Sequence, residues 1–154
     1  MSDKSENLWP DDVVEVSGPK APAAILREQG SLLGKKTQNL VLGRVVAEQE
    51  EGPKTGHYVR PSPTRGTGAQ GPTPIFVYAF YLVAPALDNY HYKLFTMKHG
   101  IKLYPVMVQC PNVKLRRPGA RTQEEFLAIL REIFASEHTR QVIESLLAQS
   151  QAPV

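Results

Sequence analysis

The sequence predicts an α+β domain: a four-stranded, mostly antiparallel meander sheet packed by one N-terminal helix and two C-terminal helices. Residues 74–84 (PIFVYAFYLVA) are apolar on both alternating faces, as in a strand buried on both sides. Short links join the strand-like runs 74–84, 90–98 and 103–110, which suits antiparallel hairpins because parallel pairing needs long crossovers. Strand-like and helix-like runs are also segregated along the chain rather than alternating.

The first helix is predicted over residues 22–34. Pro22 fits the first helical position, where its missing N–H removes no bond. Ile25, Leu26, Gln29, Leu32 and Leu33 form one stripe at helical spacing, and Gly34 stands where a C-terminal cap belongs. A first strand follows over 40–48. In the run 74–84, Ile75, Val77, Ala79, Tyr81 and Val83 point one way and Phe76, Tyr78, Phe80 and Leu82 the other. The third strand, 90–98, sets Tyr90, Tyr92 and Leu94 against Phe95 and Met97. The fourth, 103–110, contains Pro105, which cannot donate to a ladder, so this strand is expected at the sheet edge.

Two helices close the order. Thr122 and Glu125 have capping-box spacing, in which each side chain caps the other's backbone N–H. Phe126, Ile129, Leu130, Ile133 and Phe134 then form a wide apolar face. Ser136 is placed to cap a last helix carrying Val142, Ile143, Leu146 and Leu147.

These elements make a single domain over 20–147. Residues 1–19 read as a flexible N-terminal arm, within which Val13–Val16 could add an edge strand anchored by Trp9, and 148–154 as a fraying C-terminus. The stretch 49–73 holds five glycines and four prolines with no apolar period, and is expected to be a disordered loop.

At 154 residues, with 42% hydrophobic and 21% charged residues, the chain can bury a core. The lone Cys110 excludes an internal disulfide, and the polar start Met1–Glu6 has neither the basic nor the apolar region of a secretory signal, so a cytoplasmic location is expected. The apolar run 75–87 is too short to span a bilayer as a helix, and no membrane partner is expected.

Several motifs dissolve on inspection. Gly30-Ser-Leu-Leu-Gly34-Lys35-Lys36-Thr37 superficially resembles a phosphate-binding loop, but three residues separate the glycines where four are needed, Lys36 intervenes before Thr37, and the motif closes a helix instead of opening one. His57, His91, His99 and His138 are scattered; His91 and His99 would share a strand face about 26 Å apart, too far to share a metal. Cys110 ends an apolar strand and reads as an inert thiol. No cofactor, metal or catalytic group is expected.

Charge is the most suggestive feature. Residues 1–16 hold five acids against one base, and 122–154 five acids against two. Residues 17–47 hold five bases against one acid, and 113–121 hold Lys114, Arg116, Arg117 and Arg121 with no acid. Either the acidic ends neutralise the basic middle, or the middle meets an anionic partner. Two functions follow as expectations. The first is a non-catalytic protein-interaction module, able to self-associate, that uses the sheet edge at 103–110 or an aromatic sheet face. The second is a nucleic-acid-binding domain in which Lys114, Arg116, Arg117 and Arg121, with Arg60 and Arg65 from the long loop, meet phosphates while Tyr78, Tyr81, Tyr90 and Tyr92 stack on bases.

Overall fold

The computed structural model describes residues 8–11, 18–48 and 75–152. The expectations for Val13–Val16, for most of the arm and for the loop 49–73 lie outside the described residues. The elements run α1 (Pro22–Lys36), β1 (Leu42–Glu48), β2 (Phe76–Ala84), a 3-10 turn (Pro85–Leu87), β3 (Tyr90–His99), β4 (Val106–Gln109), β5 (Gly119–Ala120), α2 (Gln123–Phe134) and α3 (Glu137–Gln151). Among the described residues the five strands form one antiparallel sheet in chain order. The α+β plan, the single N-terminal helix and the two C-terminal helices are as predicted; the sheet has a fifth strand.

That fifth strand corrects the expected edge. Gly119 and Ala120 pair with Met107 and Val106, and the Val108 N–H donates to the Pro118 carbonyl at 2.7 Å. β4 therefore has a neighbour on each side. Pro105 lies just before β4, so its missing N–H leaves no ladder bond unmade. Among the described residues the long edge of the sheet is β1.

α1 also differs from expectation. It runs past Gly34 to Lys36, and Thr37 ends it: the Thr37 hydroxyl accepts from the Val41 N–H at 3.1 Å and donates to the Val41 carbonyl at 2.8 Å. Gln38 and Asn39 then turn the chain with left-handed φ of 53° and 65°. Gly34 lies within the helix, where a Cβ would stand 2.7 Å from Leu42 Cδ2, a side-chain end that can shift.

β3 carries a bulge. Phe80 faces Phe95 but Tyr81 faces Lys93, leaving Leu94 unopposed. Leu94 and Phe95 are both buried, and the strand before the bulge is turned over. Tyr92 thus shares a face with Phe95 and Met97, against the simple alternation. His91 opposite Val83 and His99 opposite Phe76 fall on opposite faces for the same reason.

The three helices of the described residues cover one sheet face. Leu26 of α1, Phe126, Ile129, Leu130 and Ile133 of α2 and Leu146 of α3 join Phe80, Leu82, Phe95, Met97, Val106 and Val108 in one cluster. Each such burial stabilises by roughly 1.5–3 kcal/mol. Val77, Ala79 and Val83 are buried but lie outside this cluster, on the other face. There the cross-strand rows run Glu48–Val77–Lys98–Met107, Val46–Ala79–Thr96–Gln109 and Arg44–Tyr81–Lys93, and no helix of the described residues covers them. No helix of the described residues is long and apolar enough to cross a membrane.

A basic groove beside the short strand

β5 and the start of α2 draw three predicted arginines together. Arg116, Arg117 and Arg121 line a groove of about 550 Å³, with Pro105, Met107 and Glu125 among its other walls. The chain reaches this shape because it leaves β4, loops through Lys114–Pro118, pairs two residues back onto β4 and enters α2 at once. Met107 supplies an apolar wall and is 51% exposed.

Two carboxylates of the described residues at the groove are bound to backbone. Glu125 accepts the Arg121 N–H at 2.6 Å and Glu132 accepts the Arg116 N–H at 3.1 Å. The guanidinium groups of Arg116, Arg117 and Arg121 make no ion pair or hydrogen bond among the described residues, and all three residues are exposed. The capping box is half as expected: Thr122 Oγ1 accepts the Glu125 N–H at 3.1 Å, but Glu125 reaches the Arg121 N–H instead of that of Thr122. The β4–β5 pairing stops at Ala120, which leaves the Arg121 N–H available.

The other predicted residues are elsewhere. Lys114 is exposed and does not line the groove; Arg60 and Arg65 lie outside the described residues. The tyrosines expected beside the arginines are not beside them. Tyr78 packs on the core and stacks on His99 at 5.8 Å between centroids, and Tyr81 donates to Glu48 at 3.2 Å on the open face. Tyr90 and Tyr92 line a separate cavity of about 570 Å³ with His138. The reason is spacing: β2 and β3 stand three and two strands from β5, roughly 10–15 Å at about 4.8 Å per strand.

The Tyr90–Tyr92 cavity had no sequence signal. Tyr92 Oη lies 2.7 Å from His138 Nε2 and accepts from Asn112 Nδ2 at 3.3 Å, three residues far apart in the chain. A third cavity of about 570 Å³ opens between α1 and α3, walled by Leu32, Leu33, Phe134 and Ile143. Cys110 is buried, donates to the Leu94 carbonyl at 3.4 Å, and has its pKa raised by desolvation. Gly30 and Gly34 lie inside α1, so the sequence that resembles a phosphate loop forms no loop. Among the described residues no group of three His, Cys, Asp or Glu is placed to hold a metal ion.

No protein-family model matches the chain, and no curated protein or solved structure matches it at a significant level.

Proposed function

We propose that this chain is a non-catalytic protein-interaction module whose basic groove takes an acidic segment of a partner protein. One observation carries the proposal: three exposed guanidinium groups border a single groove, while Glu125 in its wall and Glu132, bound to the Arg116 backbone, accept backbone N–H groups. Arginine binds carboxylates through paired, charge-assisted hydrogen bonds, which favours Asp and Glu side chains as occupants. Met107 and Pro105 give the groove an apolar wall that an acidic segment bearing a Leu or Phe would cover. A single-stranded nucleic acid fits less well, because stacking on aromatics provides much of such binding and no aromatic side chain among the described residues lines the groove. Cys110, the one thiol of the chain, is buried and its pKa is raised by desolvation, which makes it a poor nucleophile.

The test is a fluorescence-anisotropy titration with a labelled ten-residue peptide of Asp and Glu around a central Leu. Replacing Arg116 and Arg117 together by Ala should weaken binding about tenfold, equivalent to ~1.4 kcal/mol. Equal affinity in the double variant would remove the groove from the proposal.

A further inference from the structure

We propose that two copies of this chain join edge to edge through β1, in an antiparallel register that sets Arg44 opposite Glu48 of the second copy. The surface is distinct from the basic groove, which lies at the other end of the strand order.

The sheet treats its two edges differently. β5 is two residues long, a length that offers little template for pairing. β1 is seven residues long, contains no proline, and pairs with β2 without a bulge from Leu42↔Val83 to Glu48↔Val77. No strand of the described residues lies on its outer flank. A long regular edge of this kind exposes a row of N–H and C=O groups that a second strand can satisfy.

Charge selects the occupant. Read against itself in reverse, Arg44-Val45-Val46-Ala47-Glu48 is its own complement. With Val46 on the two-fold axis, Val46 meets Val46, Val45 meets Ala47, and Arg44 meets Glu48 twice. Strand alternation puts 44, 46 and 48 on the open sheet face, so both ion pairs flank an apolar contact on that face. Centring the pairing on Arg44 or on Glu48 instead would set like charges opposite each other, which is destabilising. The side chains are in the required state. Arg44 is exposed and has no ion pair among the described residues, Val46 is 36% exposed, and Glu48 is held on the open face by Lys93 at 3.1 Å and Tyr81 at 3.2 Å.

The helices leave room. α1 meets β1 at Gly43, but its start lies across the sheet, where Tyr104 donates to the Lys20 carbonyl at 3.2 Å and the Lys20 N–H donates to Gln123 at 2.8 Å. The backbone approach of α1 at Gly43 is three residues, roughly 10 Å, from the axis at Val46. The two copies of α1 approach opposite ends of the paired strands. Ala47, on the helix side, is exposed.

Sedimentation velocity of the full chain across micromolar to millimolar concentrations tests this. The wild type should shift from monomer to dimer as concentration rises. Arg44→Glu should raise the dissociation constant more than tenfold, and Arg44→Glu combined with Glu48→Arg should recover part of that loss. Circular dichroism of each variant separates lost pairing from lost folding. Register is read independently from cysteine variants in a Cys110→Ser background: with oxidised glutathione, Val46→Cys should form a covalent dimer and Ala47→Cys, which faces Val45, should not. A wild type monomeric at every concentration, which would leave β1 free or covered by the chain's own N-terminal segment, overturns the proposal. So does a dimer indifferent to Arg44→Glu, or equal cross-linking at both cysteine positions.

Discussion

Gly30 of α1 and Gly43 of β1 meet backbone to backbone: a Cβ on Gly30 would stand 2.3 Å from the Gly43 carbonyl oxygen, and one on Gly43 would stand 2.5 Å from Gly30 Cα. This contact fixes the height of α1 over the edge strand. Gly30→Ala raises helix propensity by about 1 kcal/mol, yet the added methyl meets main chain that cannot rotate away. The expected net effect is a loss of about 1–3 kcal/mol, the range for overpacked sites. Urea unfolding of Gly30→Ala measures it, and a gain in stability would show that the helix and strand stand further apart.

Capping at α2 links stability to the groove. Thr122→Ala should cost about 1 kcal/mol by leaving the Glu125 N–H without its side-chain acceptor. Glu125→Gln keeps an oxygen for the Arg121 N–H but removes a negative charge from the groove wall. It should leave the melting temperature nearly unchanged and tighten binding of the acidic peptide several-fold. Weaker binding in Glu125→Gln would argue against an anionic occupant.

Alkaline pH should destabilise the fold. Burial raises the Cys110 thiol above its ordinary value of 9.0 and the Tyr104 phenol above its ordinary 10.0. Both groups hold their proton more tightly folded than unfolded. The stability they contribute is full below those ordinary values and is lost as pH rises through the higher folded values. Urea midpoints measured from pH 8 upward should fall, and the fall should shrink in Cys110→Ala relative to that variant's own midpoint at pH 8. At neutral pH Cys110 should react with a thiol reagent only slowly until the chain is unfolded.

The legible parts of the fold were those with a period or a cap. The doubly apolar run gave β2, Pro22 started α1, and Ser136 caps α3 through the Thr139 N–H at 3.2 Å. β5 was illegible because two residues, Gly119 and Ala120, carry no alternation and sit inside a segment whose obvious property is charge. The bulge at Leu94 was hidden because all of Tyr92, Leu94, Phe95 and Met97 are apolar enough for either face, so composition did not reveal the change of register. Gly34 resembled a cap because a glycine inside a helix and one needed for a left-handed turn look alike in sequence. The clustering of Arg116, Arg117 and Arg121 could be read from their proximity in the chain; the diversion of Glu125 and Glu132 to backbone N–H groups required the folded loop.

Salt most directly separates recognition of an acidic protein segment by the groove from nucleic-acid binding. Labelled single- and double-stranded oligonucleotides and the acidic peptide are titrated into the protein at 50 and 200 mM salt. Neutralising phosphates makes affinity fall with a log–log slope of about −0.7 per contact on single strands and about −0.9 on duplexes. The expected result is saturable peptide binding at both salt concentrations, sustained in part by the Met107 contact, and no saturable oligonucleotide binding. Tight, steeply salt-dependent oligonucleotide binding that disappears when Arg116 and Arg117 are replaced by Ala, with no binding of the peptide, would contradict it.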